Sequence, residues 1–207
     1  MRIGIIGSGH IGGSLATLLT RAGHDVWLAN SRGPASLAGT VAELGEHAHA
    51  ATAEEAATEG EVVIVSIPLH SYREVPVAPL TGKVVIDTNN YYPERDGAIP
   101  ELDAGTTTSS ELLATHLGDA RVVKAFNTIY FVQLREQGKP GGTEGRRALP
   151  IAGDDGEAKR VVSQLLDEIG FDAVDVGSLA EGRRQQPGTP VYNTPQTAVE
   201  LRRALSG

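Results

Sequence analysis

Three glycines near the start of the chain, in the run Gly7-Ser8-Gly9-His10-Ile11-Gly12, have the spacing of a phosphate-binding turn. They follow the apolar run Arg2-Ile3-Gly4-Ile5-Ile6 and precede apolar residues at helical spacing, namely Ile11, Leu15, Leu18 and Leu19. A glycine turn between a strand and a helix is the setting in which Gly-x-Gly-x-x-Gly holds a pyrophosphate. Gly7 permits the tight turn, Gly9 lets the backbone approach the phosphates, and Gly12 lets helix and strand pack closely. The helix then presents free N–H groups and a partial positive charge to the anion. His10 lies inside this loop, where its backbone N–H matters more than its ring.

A second constellation stands at the end of the next apolar run, "DVWLA", where the chain reads Asn30-Ser31-Arg32. In dinucleotide sites a carboxylate here accepts the ribose 2′-hydroxyl of NAD and would repel a 2′-phosphate. Asn30 carries no charge, Ser31 donates, and the forked guanidinium of Arg32 matches a phosphate. These residues select NADP(H) over NAD. Ser8 would add a hydroxyl from the opposite side; a solvated loop charge is the lesser alternative for Arg32.

In open α/β sheets ligands lie across the carboxyl ends of the strands. Ser66, Ile67 and Pro68 end the run "EVVIVSIP", beside the expected nicotinamide ribose, with His70 just beyond. Asn89 and Asn90 follow "KVVIDT" and would face the nicotinamide end, with Tyr91 and Tyr92 toward a substrate ring. Ala125, Phe126, Asn127 and Thr128 close the third such run, "VVKAFNTIY". Amides, hydroxyls and tyrosines with few carboxylates suit orientation for hydride transfer rather than hydrolysis. A plain turn would equally explain Asn90. No catalytic residue is assigned, and Lys124, at the end of a strand, is read as structural. His24, His47, His49 and His116 are read as solvated, and no metal site is expected because His47 and His49 lack a third ligand nearby. Nucleophile-elbow, Walker and HExxH patterns do not occur.

The elements that must position these residues alternate along the chain. Apolar strands over "RIGIIG", "DVWLA", "EVVIVSIP", "KVVIDT" and "RVVKAF" are separated by helical stretches at Ile11–Ala22, Ser36–Leu44, "TAEEAAT" and "SSELLATHL". Continuous apolar strands between helices imply a parallel sheet covered on both faces. A helical piece is expected over "NTIYFVQLREQG", then a Gly-rich loop, a strand–helix–strand unit from "ALPIAG" to "FDAVDVG", a turn-rich tail and a final helix. The expected architecture is an α/β Rossmann-type doubly wound parallel sheet over residues 1–124. A small C-terminal α/β domain, residues 125–207, would complete an acceptor cleft.

Composition sets the bounds. The chain has 207 residues, 40% hydrophobic and 21% charged, enough to bury a sizeable core. A net charge of -8 argues against nucleic acid or an anionic membrane as the main partner. With no cysteines, disulfides, thiolate metal sites and a cysteine nucleophile are excluded together. No leader precedes the first strand and no apolar run approaches the roughly 20 residues of a membrane span, so a soluble cytoplasmic protein is expected.

The glycine loop, "NSRGP", "SIP", "DTNN", "VVKAFNT" and "IAGDDGEAK" together resemble the NADPH-dependent reductases of coenzyme F420. That superfamily also takes in the NADPH-binding domains of STEAP-type metalloreductases. The resemblance extends over most of the chain. It implies direct hydride exchange between NADPH and the deazaflavin of F420, stacked over the nicotinamide in a cleft between two domains. Such exchange needs mainly alignment, without a metal or an obligatory acid–base residue. By position, Ser31, Arg32 and Ser8 would hold the 2′-phosphate. Ser66, Ile67 and Pro68 would border the nicotinamide, and Asn127 and Thr128 the deazaflavin. A homodimer is implied as well.

F420 carries a phosphate and a polyglutamate tail, for which Arg146-Arg147 or Arg183-Arg184 would supply positive charge; surface arginines without a role are the alternative. Three positions depart from the family pattern. Ser36 replaces a second arginine, Asn127 replaces a histidine before threonine, and the turn-rich "EGRRQQPGTPVYNTP" replaces an apolar helical tail. Two of the three touch the acceptor side. They leave open a flavin, quinone-like, imine or small carbonyl acceptor, and a non-catalytic NADP(H)-binding sensor.

Overall fold

The computed structural model describes residues 1–206. Its strands are β1 (Arg2–Ile6), β2 (Asp25–Ala29), β3 (Ala48–Ala51), β4 (Val62–Val65), β5 (Val84–Asp87), β6 (Arg121–Lys124), β7 (Ala148–Gly153) and β8 (Asp172–Asp175). They form one eight-stranded sheet in the order β3-β2-β1-β4-β5-β6-β7-β8. The first six strands run parallel. β7 is antiparallel to β6, pairing Val123 with Gly153, and β8 returns parallel to β7, so the sheet continues through the C-terminal part. Chain order reverses between β1 and β4, which makes the crevice at their carboxyl ends the expected ligand position.

Nine helices connect and flank these strands among the described residues: α1 (His10–Arg21), α2 (Ala38–Leu44), α3 (Ala53–Glu59), α4 (Pro93–Asp96), α5 (Pro100–Asp103), α6 (Ser109–Leu117), α7 (Phe131–Glu136), α8 (Gly156–Glu168) and α9 (Ala198–Ser206). Thr52 with Glu55 and Thr108 with Glu111 form reciprocal capping boxes that start α3 and α6.

The sequence pattern explains the two-sided core. Along β4, Val62 and Ile64 enter one apolar cluster with Leu15, Leu19 and Ile86, while Val63 and Val65 enter the other with Val85, Leu113 and Leu117. Alternation of side chains along a strand therefore feeds both faces. Each such fully buried Val, Ile or Leu contributes about 1.5–3 kcal/mol. A smaller cluster of Ala148, Val174, Val191 and Leu201 holds α9 against the C-terminal strands.

Four local expectations are corrected. The helix expected from Asn127 begins only at Phe131, because Phe126 takes a left-handed φ of 61° and the Thr128 carbonyl accepts the Asn193 N–H at 3.1 Å. The helix expected from Ser36 opens as a 3-10 turn, Pro34–Leu37, before α2. His24 is buried and reaches Glu168 at 2.8 Å instead of facing solvent. The His116 ring meets the Val75 carbonyl at 2.9 Å and lies edge-on to Tyr72.

Candidate functional site

The glycine loop sits at the reversal point between β1 and β4. Gly7 has φ 113°, and a Cβ there would stand 2.0 Å from the Ser66 carbonyl oxygen. A Cβ on Gly12 would lie 1.8 Å from the Gly7 carbonyl, so Gly12 serves helix–strand packing. A Cβ on Gly9, by contrast, would meet nothing within 4 Å. Gly9 is also the N-cap of α1 and no side chain caps that terminus, leaving the first N–H groups of a twelve-residue helix for a ligand. Open space over an uncapped helix start fits a pyrophosphate.

Asn30 organises the neighbouring corner. Its Nδ2 donates to Ser8 Oγ at 3.2 Å and Ser36 Oγ at 3.0 Å, and its Oδ1 accepts the Arg32 N–H at 2.9 Å. The amide thus ties Ser8, the Arg32 backbone and Ser36 together at one exposed corner that Ser31 also lines, and Arg32 makes no ion pair among the described residues. A cavity of about 430 Å³ runs from this corner past Gly7, Ser8 and Gly9 to Ser66, Ile67, Pro68 and His70. The His70 ring and N–H both turn to Asp96, whose side chain is fully buried. Burial pushes the Asp96 carboxyl up, but hydrogen bonds from Arg95, the Tyr92 N–H and the His70 N–H outweigh it and hold the group at about 2.

A second cavity, about 290 Å³, is lined by His10, Ile11, Asn89, Asn90, Tyr92, Arg95, Phe126, Asn127, Phe131, Tyr192 and Asn193. Gly9, Ser66, Ile67 and Pro68 border both cavities, so the two meet over the glycine loop and the end of β4. The strained Phe126 backbone borders this second cavity, and such strain commonly marks function. The His10 ring is stacked on Phe131, with centroids 4.2 Å apart, which leaves its backbone for the loop.

Asn89 is the most informative residue here. Its Oδ1 accepts the Ile67 N–H at 3.0 Å, its own N–H donates to Asp87 at 2.9 Å, and its carbonyl accepts from Lys124 Nζ at 3.0 Å. Its Nδ2 is buried and has no protein partner. An unpaired buried donor carries a penalty of about 1–3 kcal/mol unless something accepts from it. A carboxamide or carbonyl oxygen in the second cavity would fit. Behind it Lys124 is fully buried, donating to Ser109 and Ser110 and lying 3.6 Å from Asp87. Burial pulls the Lys124 ammonium down while Asp87 pushes it back, and the residue is outside both cavities.

Other expected residues take different places. Asn127 lines the cleft, but its Nδ2 donates to Asn90 Oδ1 at 3.0 Å and Gln185 O at 2.6 Å, and its Oδ1 accepts from Gln185 at 3.0 Å. Both amide hydrogens are therefore engaged in joining the β5 and β6 loops to the tail. Ala125 and Thr128 are buried and line neither cavity. Tyr91 turns away, its hydroxyl 2.8 Å from Asp103. Neither arginine pair reaches the cleft. Arg146 is held by Asp167 and Asp172, both at 2.7 Å, and Arg184 lies beside Glu181. The arginine that does border the cleft is Arg95, 4.9 Å over the Tyr92 ring and paired with Asp96 at 2.8 Å, a residue the sequence did not single out. Tyr192 and Asn193 of the tail also line it. The Tyr192 hydroxyl hydrogen-bonds to that of Tyr92, and burial and that bond push Tyr192 above the usual phenol range.

Fold and groove together define a dinucleotide-binding α/β protein of the doubly wound class. Residues 2–91 match the family model described as NADP oxidoreductase, coenzyme F420-dependent. The chain is 30% identical to the F420-dependent NADP reductase of Methanothermobacter marburgensis over 206 residues, covering 92% of this chain and 90% of the relative. It is 34% identical to rat metalloreductase STEAP3 across 99% of its own length, but spans only 39% of that protein. The crystal structure of hypothetical protein SMa0349 from Sinorhizobium meliloti superposes with a TM-score of 0.81 at 33% identity, covering 95% of each chain. The chain belongs to the coenzyme F420-dependent NADP oxidoreductase family, and it spans less than half the length of the metalloreductases it matches. No helix among the described residues is long and apolar enough to cross a membrane.

Proposed function

We propose that this chain transfers a hydride between NADP(H) and coenzyme F420, with the nucleotide along the first cavity and the acceptor in the second. The observation that carries this reading is the meeting of the two cavities over Gly9 and the β4 end, with Asn89, whose Nδ2 is unpaired and whose Oδ1 accepts the Ile67 N–H, lining the second. When bound, NADPH supplies a hydride that the deazaflavin ring accepts.

The chain's own residues bind and align. The α1 terminus receives the pyrophosphate, and Ser8, Ser31 and Arg32, arranged by Asn30 and Ser36, receive the 2′-phosphate. Ser66, Ile67 and Pro68 border the nicotinamide, and Asn89 Nδ2 donates to a carbonyl oxygen there. Asn90, Asn127 and Gln185 fix the acceptor wall, and Arg95, paired with Asp96, stands over Tyr92 at its edge. Residues from 125 onward complete this wall.

The relatives favour F420 through the name of the Methanothermobacter reductase, while STEAP3 is named a metalloreductase. Anaerobic stopped-flow mixing of the protein with NADPH and F420 tests the reading, with NADH, free flavin and a ferric chelate run beside it. Bleaching of the deazaflavin with NADPH, and far less with NADH, is expected. NADPH binding with no bleaching removes F420 as acceptor and leaves the nucleotide assignment standing.

A further inference from the structure

We propose that the cavity between the end of α7, the 139–145 loop and the start of α9 is a second anion site, in which Arg147 receives a phosphate-type oxoanion. It lies outside the two cavities assigned to NADP(H) and acceptor.

Arg147 is 5% exposed, yet among the described residues it makes no ion pair. Its Nη1 donates to Gln133 at 2.8 Å and Gln137 at 2.6 Å, both neutral acceptors. Its Nε and Nη2 are buried without any partner. Those two nitrogens form the edge of the guanidinium that grips an oxoanion with two parallel bonds. The preceding Arg146 shows the contrast, since two aspartates neutralise it. A buried cation with no counter-ion is among the most expensive arrangements in a protein interior. Burial alone lowers the Arg147 guanidinium below its ordinary value, with no carboxylate opposing it.

Arg147, Lys139 and Gln196 line a cavity of about 440 Å³. Two glutamates also border it: Glu136 is exposed, and Glu200 is held by the Thr197 N–H and hydroxyl, both at 2.8 Å. Gln196 Oε1 is buried and lacks a donor. The site therefore offers two free donors and one free acceptor. Hydrogen phosphate or a phosphate monoester, with both charged oxygens and an O–H, matches that set. Acetate and chloride supply no donor.

The anion has two sources, a free phosphate or the glutamyl tail of a molecule lying in the acceptor cleft, whose carboxylates would accept from Arg147 and whose amide N–H would donate to Gln196 Oε1. α7 runs from Phe131 at that cleft to Glu136 here, about 8 Å along its axis, and the segment 192–197 borders both cavities. The second source rests on the proposed function; the first does not.

The test follows the Arg147 Nε–H resonance of the full-length 15N-labelled protein during titration at constant ionic strength. Inorganic phosphate is expected to move it and to raise Tm by about 3–6 °C at ten times Kd, with acetate and chloride weaker. Arg147→Met should abolish that Tm response, and Arg147→Lys, which keeps the charge but loses the fork, should weaken it about tenfold. Movement with phosphate alone identifies a free anion. Movement only on adding F420 identifies its tail. A resonance unmoved by both, or equal Tm responses in wild type and Arg147→Met, overturns the site. Should Arg147→Met not fold, the wild-type resonance and Arg147→Lys carry the comparison.

Discussion

Gly7 lies so close beneath the Ser66 carbonyl that an added Cβ would stand 2.0 Å from that oxygen. This contact brings the ends of β1 and β4 together at the reversal point of the sheet and fixes the floor on which both cavities rest. Gly9, two residues on, has open space above it. The two glycines therefore serve different ends, one the fold and one the ligand.

Substitution should separate them. Gly7→Ala forces a backbone clash at positive φ and is expected to destabilise the protein by ~3 kcal/mol or more. Gly9→Ala should leave Tm within a few degrees of wild type while weakening NADPH binding about tenfold or more. Thermal denaturation paired with nucleotide titration checks both.

Arg32 should govern the choice of nucleotide. Removing one charge-assisted contact costs about 1–3 kcal/mol, so Arg32→Ala should weaken NADPH binding roughly ten- to a hundredfold. NADH binding should hardly change. Competition titrations of the two nucleotides report the difference directly.

Asp96 gives the cleft a defined pH response. Its folded value of about 2 lies below the ordinary 3.8, so the stability it contributes is fully present above pH 4 and is lost as pH falls through about 2. The shift corresponds to roughly 2 kcal/mol. Urea denaturation of wild type and Asp96→Asn should differ by about that amount at pH 6. The gap should close toward pH 2.

Asn89→Asp keeps the acceptor for the Ile67 N–H and removes the unpaired donor. Phosphate-loop contacts should hold NADPH affinity within a few-fold, whereas loss of one aligned hydrogen bond should slow turnover about ten- to a hundredfold. Single-turnover kinetics at saturating NADPH distinguish this from a binding defect.

Much of the fold and the nucleotide side were legible because their signals are local. Strand ends, the glycine spacing and the Asn30-Ser31-Arg32 corner each lie within a few residues of one another. Ser36 was visible only as a missing arginine, yet its hydroxyl meets Asn30. The acceptor wall was harder to read, since it is assembled from segments about a hundred residues apart. Nothing around Tyr192 or Asn193 announces that they return to Tyr92 and Thr128. Asn127 has the right place, but only its pairing with Asn90 and Gln185 shows that its amide is already engaged. His24 looked like a loop residue because its partner, Glu168, lies at the far end of α8.

The central claim is direct hydride passage where the two cavities join. NADPH carrying deuterium at C4 of the nicotinamide tests it in one turnover with F420 in ordinary water. Deuterium retained at C5 of the reduced deazaflavin, from one face of the nicotinamide only, is the expected result. Label released to solvent, or NADPH oxidised with no label on the deazaflavin, would contradict it.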